Sequence, residues 1–306
     1  MMLTVEAFER AAGFIVDNAR GVEVARYAIH FEEGNPGEVD EELQAYGNDD
    51  GGFAYGIDPD FYCEESSAAA TATALAILNE TGAPPESTLV RGAIAYLLAT
   101  HDPALKGWQK VPETVNHYPH GEWWDHPDGL AVRCAEELWA LTNVDVIAHL
   151  HDYPMLVPDD VLQQGTAEAL ARLTVLPDPI DMHVLAAYEL LSRRLDPERS
   201  RAMVTRLARA SLVILERNPE RWSAHVASPL WISPSVDSPL VTVAPSELEQ
   251  NLDYVIAAQR PDGSWRTRRR WSDYADAWPE AEVELAGIAT LEALIQLREF
   301  NRIEGF

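Results

Sequence analysis

The segment QRPDGSW, from Gln259 to Trp265, places a turn and a large aromatic side chain between two helical patterns. Before it, Ser246 and Glu249 have the spacing of a capping box, which predicts that a helix begins there and ends near Gln259. Within the segment, Pro-Asp-Gly is typical of a turn, because glycine adopts a positive φ without steric cost. After it, residues 282–297 predict a second helix. A unit of this kind constrains the fold strongly if it recurs along the chain.

A second copy of this unit lies near the start of the chain, in NDDGGFAYG at 48–56. Its Asp-Gly turn is followed by Phe53 in the Trp position, and Asn48 or Asp49 falls near the Gln position. A short helical pattern precedes the turn, and the Ala-rich stretch 66–78 follows it with strong helical propensity. The order of elements is therefore the same in both places.

The spacing of apolar residues predicts helices from one end of the chain to the other. The predicted spans are 4–18, 20–32, 38–46, 66–81, 86–100, 129–142, 159–173, 180–194, 197–216, 246–259 and 281–301. Residues 225–243 have enough β-branched side chains for a short strand, but their prolines favour an ordered loop. We expect an all-α protein in which residues 1–306 form one domain.

The order helix, Gln-x-x-Asp-Gly-Ser-Trp, loop, small-residue helix resembles the QW repeat of the terpenoid cyclase and protein prenyltransferase superfamily. The resemblance covers residues 40–80 and 245–300 and implies a single (α/α) toroid, in which outer helices surround inner helices that line a central apolar cavity. In that arrangement we expect Gln259 to hydrogen-bond main-chain groups at helix ends, and Trp265 to cover it with apolar surface.

Composition and charge exclude several classes of protein. The net charge of −27 argues against a nucleic-acid partner, because a polyanion would be repelled. The N-terminal segment has acidic residues where a signal peptide has basic ones, and no apolar run is long enough to span a membrane. We therefore expect a soluble cytoplasmic protein, although an amphipathic segment could still contact a bilayer. Cys63 and Cys134 lack metal-site spacing and are expected to be free thiols.

A protonating terpenoid cyclase uses an Asp-x-Asp-Asp motif, and this chain has none. The nearest match is IDPDF, in which Asp58 and Asp60 follow the first turn unit. Either carboxyl could act as a proton donor, but turn formation and helix capping are the alternative roles for both. The residues also show no zinc triad of the prenyltransferase kind and no Asp-rich magnesium motif, so we expect no cofactor and no resident metal.

The loop NHYPHGEWWDHPD, residues 116–128, concentrates His, Trp and Asp side chains. His120 or Asp125 is a candidate proton donor in an aromatic wall or lid. The aromatic residues proposed to bind substrate are Tyr118, Trp123, Trp124 and, just before this loop, Trp108. An alternative is that His117 and His120 bind a metal with a third ligand from Glu122, Asp125 or His126.

Two further segments could supply chemistry at the start of predicted inner helices. Asp181 and His183 open the helix near 180 and are candidate catalytic residues. The alternatives are helix capping for Asp181 and a satisfied, semi-buried position rather than a base for His183. Glu282 and Glu284 occupy the same place in the last helix. The basic run RTRRRW, 266–271, could hold a diphosphate or could pair with the acidic surface.

Three functional hypotheses remain open from these residues. The first is an enzyme that acts by acid–base chemistry on an isoprenoid or similar hydrophobic substrate, with aromatic walls that stabilise positive charge. The second is a non-catalytic toroid that binds a lipid or a protein. The third is a carbohydrate-active α/α barrel, which would need paired carboxylates and Trp platforms. The lining of the cavity discriminates among them. The oligomeric state does not follow from these patterns.

Overall fold

The computed structural model describes residues 1–126 and 134–306, and within them the protein is all-α, with isolated β-bridges but no strand. The described α-helices are α1 Val5–Asn18, α2 Gly21–Phe31, α3 Pro36–Leu43, α4 Ala68–Glu80, α5 Thr88–Thr100, α6 Ala135–Asp152, α7 Asp159–Val175, α8 Met182–Ser192, α9 Pro197–Ile214, α10 Pro229–Ile232, α11 Pro245–Ala257 and α12 Trp278–Glu299. Short 3₁₀ turns cover Gln44–Tyr46, Glu113–His117, Glu122–Trp124, Pro154–Leu156 and Pro219–Arg221. The fold class predicted from apolar spacing is confirmed.

Helices that alternate along the chain contact one another. Helix α4 packs on α6, α6 packs on α8, and α12 packs on both α1 and α2. The chain ends also meet, because the Leu3 main-chain N–H donates to the Arg302 carbonyl at 2.7 Å and Leu3 forms a bridge with Ile303. These contacts suit a ring of inner and outer helices, but the closed toroid stays a prediction. No helix among the described residues combines the length and apolar character that a membrane span requires.

The QRPDGSW segment forms a clasp that joins three helices. The Gln259 side-chain amide donates to the carbonyls of Ala7 on α1 (2.8 Å) and Gly263 (3.0 Å). The buried Trp265 indole donates to the Val255 carbonyl on α11 (2.7 Å), and its main-chain N–H donates to the Thr290 hydroxyl on α12 (3.1 Å). The expectation that Gln259 binds main-chain groups is confirmed, since it contacts the main chain of α1 as well as its own turn.

The first unit repeats the hydrogen bonds of the clasp but not its Gln. The Phe53 N–H donates to the Thr71 hydroxyl on α4 at 3.1 Å, as Trp265 does to Thr290. The Asn48 main-chain N–H donates to the Gly52 carbonyl, as the Arg260 N–H donates to the Ser264 carbonyl in the last unit. This register aligns Asn48 with Arg260, so Gly47 stands in the Gln position. The Asn48 amide instead donates to the Glu64 carbonyl and the Ser66 hydroxyl within the loop.

A third clasp, which the sequence patterns did not reveal, is centred on Trp108. Its indole donates to the Leu97 carbonyl at the end of α5 (2.6 Å), and its N–H donates to the Asn143 side chain on α6 (2.5 Å). Asp102 and Gly107 exchange main-chain hydrogen bonds in the turn before it. The turn is longer than in QRPDGSW and lacks the Asp-Gly pair, so its sequence hides the shared geometry.

Two helix boundaries differ from the predictions for identifiable reasons. The proposed capping box does not form, because Pro245 takes the first helical position of α11 and Glu249 pairs with Arg302 instead. Helix α6 continues to Asp152, well past the predicted end at 142, because buried side chains such as Ile147 and Leu150 extend its packed surface. Residues 129–133 of the predicted span 129–142 lie outside the described part of the chain. Within 225–243 the chain forms the short helix α10 and turns rather than a strand.

Candidate functional site

Two loops singled out from the sequence lie side by side. Phe61 forms an antiparallel bridge with His120. On either side of that pair, the Gly121 N–H donates to the Asp60 carbonyl at 2.8 Å, and the Tyr62 N–H donates to the Pro119 carbonyl at 3.0 Å. The IDPDF segment and Tyr62 therefore pair through their main chains with residues 119–121 of the His- and Trp-rich loop. Long-range pairing of this kind fixes the loop without a regular sheet.

An aromatic pocket of about 430 Å³ opens beside this loop, a volume suited to a small organic molecule. Its apolar wall is formed mainly by Leu105, Trp108, Val111, Trp123, Trp124, Leu138 and Trp139. Its charged or titratable wall groups, among the described residues, are Lys110, Asp125, His126 and Arg172. Three of the four predicted substrate-binding residues, Trp108, Trp123 and Trp124, therefore share one wall. Tyr118 does not line this pocket; its carbonyl accepts a hydrogen bond from His120.

His120 and Asp125 form a hydrogen-bonded pair at the edge of this pocket. The His120 side chain is buried, with Nδ1 2.6 Å from the Tyr118 carbonyl and Nε2 2.7 Å from Asp125 Oδ1. A carbonyl oxygen only accepts, so Nδ1 is the donor to Tyr118, and Nε2 faces the Asp125 carboxyl. The geometry therefore places a ring nitrogen and a carboxyl oxygen where a proton can pass between them. More than half of the Asp125 side chain is exposed, at 57%, and it faces the pocket.

Lys110, like Arg172, is a charged residue at the pocket that the sequence patterns did not single out. Its ammonium lies 3.7 Å from the centre of the Trp124 ring and donates to the Trp123 carbonyl at 3.0 Å. Burial lowers its pKa to about 8, against the opposing influence of the Asp58 carboxylate. Only two of the chain's 23 Lys and Arg residues are lysines, and both lie close to Trp108. That rarity was the one available signal.

The two acids of IDPDF are engaged in the loop structure. Asp60 is fully buried and accepts hydrogen bonds from Arg269 and from the Trp271 indole. Arg269 of the basic run 266–271 therefore pairs with a buried acid. Asp58 Oδ1 accepts from the Asp60 N–H at 3.1 Å, which is a turn-forming bond. Burial raises the pKa of Asp58, while the charges of Arg269, Arg20 and Lys110 oppose the rise. Neither carboxyl lines the aromatic pocket.

Asp181 and His183 lie elsewhere, at the start of α8. Asp181 Oδ1 accepts a hydrogen bond from the His183 N–H at 2.8 Å, so Asp181 caps the helix, which is the structural role predicted for it. His183 Nε2 lies 2.9 Å from His225 Nε2, and both rings contact Trp231. Burial, together with the neighbouring charges of His225 and Lys110, lowers the pKa of His183 to about 4, which keeps the ring neutral at pH 7.

Glu284, on the first turns of α12, accepts from the Tyr62 hydroxyl at 2.7 Å. Burial raises its pKa, although the Tyr62 hydrogen bond and Arg20 oppose the rise. Glu282 lies on the same helix, and no contact brings either acid to the aromatic pocket. Neither acid lines the pocket with Asp125, although Tyr62 connects Glu284 to the segment that pairs with Pro119 and His120.

A protein metal site requires several His, Cys, Asp or Glu side chains to lie close together. Within residues 1–126 and 134–306, no three His, Cys, Asp or Glu side chains are grouped as metal ligands would be. His117 is exposed, whereas His120 is buried and occupied by Asp125 and Tyr118. Asp128, the second aspartate of the loop, lies outside the described residues. Both cysteines are free, as expected.

Comparison with protein-family models finds no match, and comparison with curated proteins finds none either. The relationship to terpenoid cyclases and protein prenyltransferases therefore stays a prediction that depends on the two turn units.

Proposed function

We propose that the protein is an enzyme that transfers a proton to a hydrophobic substrate, of the isoprenoid class, bound in the aromatic pocket. The observation that carries the proposal is that Asp125 both lines the pocket and is hydrogen-bonded to the buried His120. A proton donor must reach its target within hydrogen-bond distance, and an exposed carboxyl on a pocket wall meets that condition. The buried imidazole behind it orients the carboxyl and re-supplies the proton.

The walls suit the charge that such a reaction creates. Protonation of an alkene leaves a carbocation, and indole faces stabilise a nearby cation through their quadrupole. Four of the pocket's wall residues are tryptophans: Trp108, Trp123, Trp124 and Trp139. The clasp of Trp108 and the cation–π contacts of Trp124 and Trp139 hold three of these rings in place. A fixed aromatic wall orients the substrate at low entropic cost.

The number of carboxylates favours this reaction over glycoside hydrolysis. A glycosidase needs two carboxyl groups across its cleft. Among the described residues that line the pocket, Asp125 is the sole carboxylate. The rest of the described wall is mainly aromatic and aliphatic, with the neutral polar side chains of Gln109, Thr142 and Asn143 among them, and this largely apolar lining suits a hydrophobic substrate better than a sugar.

The test is turnover by matched variants. The purified protein is incubated with squalene and with prenyl diphosphates, with Mg²⁺ or with EDTA, and products are identified by mass spectrometry. We expect Asp125→Asn to lower kcat by about 10²–10⁴-fold with little change in KM, because the amide keeps the shape but loses the acid. Glu113→Gln is the control, since Glu113 is exposed on the preceding turn and does not line the pocket.

Two outcomes contradict the proposal. The first is the absence of any product from the wild type despite saturable binding of the hydrophobic compound, which would establish a non-catalytic binding protein. The second is equal kcat for wild type and Asp125→Asn, which would remove this carboxyl from the chemistry.

A further inference from the structure

The amine of Lys110 has an unusual setting for a lysine. Lysine side chains normally extend into water with a carboxylate nearby. Here Nζ lies against the Trp124 ring on a wall made largely of apolar atoms. Among residues 1–126 and 134–306, no carboxylate forms a salt bridge with it, and its one hydrogen bond goes to the Trp123 carbonyl. Two of the three ammonium hydrogens therefore lack a protein acceptor in the described part of the chain.

The other lysine shows the contrast. Lys106 lies four residues earlier, its side chain is 65% exposed, and it pairs with Glu168 at 2.9 Å. Its amine is therefore engaged with a carboxylate in water. The chain thus carries one ordinary lysine and one desolvated lysine in the same loop, and every other basic side chain except histidine is an arginine.

Several titratable and charged groups lie around Lys110. Asp58 favours the charged amine, while Asp125, His126 and Arg172 lie on the same pocket wall and His183 is close enough to respond to the charge of Lys110. Burial is the largest influence and lowers the pKa of the amine to about 8. About a tenth of the amine is then neutral at pH 7, against less than a thousandth for an unperturbed lysine. A neutral amine has the lone pair that a nucleophile needs.

Trp124 carries an unpaired donor beside the amine. Its indole Nε1–H is buried and has no acceptor within the described residues. The same indole carries the Lys110 amine over its ring, on the wall of the pocket.

We propose that Lys110 is a nucleophilic amine that condenses reversibly with a small hydrophobic aldehyde in the aromatic pocket. The lone pair of Nζ attacks the carbonyl carbon, and the carbonyl oxygen takes a proton to give a carbinolamine. The nitrogen loses one proton to give the neutral carbinolamine, and the oxygen then takes a second proton and leaves as water, which gives an iminium ion. Loss of the remaining N–H proton gives the imine, so the two protons gained by oxygen equal the two lost by nitrogen. The reaction consumes no oxidant or reductant, and Asp125, which is hydrogen-bonded to His120, lies on the same pocket to pass these protons.

Trapping of the imine tests this proposal on the whole protein. The wild type is incubated with benzaldehyde and sodium cyanoborohydride, which reduces an imine to a stable secondary amine. Chymotryptic cleavage after Trp108 separates the two lysines into different peptides for mass spectrometry. We expect the initial rate of labelling at Lys110 to exceed that at Lys106 by at least about ten-fold at pH 7, and to rise as the pH increases through about 8.

Two controls separate reactivity from folding and from general access. Lys110→Arg keeps the positive charge but removes the nucleophile, so labelling in the pocket should vanish while the circular dichroism spectrum is unchanged. Lys106→Arg should leave labelling of Lys110 intact. Glyceraldehyde, a polar aldehyde, should lose the preference for Lys110. Labelling of Lys106 at a rate equal to or greater than that of Lys110 by benzaldehyde would overturn the proposal, whatever the turnover of isoprenoids proves to be.

Discussion

Gly263 is the residue at which the clasp most closely approaches another helix. Its φ is +92°, and an added Cβ would lie 2.8 Å from the main-chain nitrogen of Ala11 and would overlap the Arg10 carbonyl. An ordinary contact needs roughly 3.5 Å, so Gly263→Ala forces the turn away from α1. Such movement would also strain the hydrogen bond from Gln259 to Ala7.

The expected loss combines two costs. A side chain at this φ costs about 1–2 kcal/mol, and overpacking against backbone costs about 1–3 kcal/mol more. The sum is about 2–5 kcal/mol, which in a chain of this length lowers Tm by about 4–10 °C. Gly82 is the matched control, because it has φ +75° but nothing within 4 Å of an added Cβ. Gly82→Ala should cost only the first part, about 2–4 °C.

Thermal melting by circular dichroism measures both variants under one protocol. Equal shifts for Gly263→Ala and Gly82→Ala would refute the reasoning, because the backbone conformation alone would then account for the loss. Gly51→Ala offers a second comparison, since Gly51 has φ +85° and an added Cβ would lie 2.6 Å from the Gly92 carbonyl oxygen. It should behave like Gly263→Ala if the two clasps are equivalent.

Two further predictions concern the third clasp and acid stability. Trp108→Phe removes the donor to the buried Leu97 carbonyl and should lower the free energy of unfolding, measured with urea, by about 1–3 kcal/mol. Trp278→Phe should lower it less, because the Trp278 indole makes no hydrogen bond in the described part of the chain. The reverse order would contradict the clasp. Burial raises the pKa of Glu80, but His30 and Arg26 outweigh it and lower the pKa to about 2. Because its pKa is lowered in the folded state, ionised Glu80 stabilises the fold above about pH 4.5, and this stabilisation disappears as the pH falls towards 2. The loss of unfolding free energy in Glu80→Gln, about 3 kcal/mol at pH 7, should therefore shrink between about pH 4.5 and pH 2. Glu86→Gln, at an exposed position, should show no such change, and a constant deficit for Glu80→Gln would contradict the assignment.

Local patterns predicted the helices well because their signals are local. Apolar spacing and turn residues placed α1, α5 and α9 within a few residues of their bounds. The Gln259 hydrogen bonds were also predictable, since QRPDGSW carries the complete unit. The capping box was wrong because Pro245 competes for the first helical position, and local spacing does not rank the two signals.

The sequence predicted some residues of the candidate site but not the others. The aromatic loop supplied Trp123, Trp124 and the His120–Asp125 pair, but nothing local showed that the pocket would form between this loop and α6. Lys110 was missed because its lowered pKa comes from burial that only the packed fold creates. Asp58 and Asp60 were attractive candidates by type, yet their hydrogen bonds commit them to a turn and to Arg269.

The central claim is that a proton passes from Asp125, which is hydrogen-bonded to His120, to a hydrophobic substrate. The most direct measurement is turnover of an isoprenoid in D₂O, with mass spectrometry of the product. The account predicts one deuterium at a newly formed C–H bond with the wild type, and labelled product formed about 10²–10⁴-fold more slowly with Asp125→Asn. Product without deuterium, or equal labelling by both proteins, would contradict it.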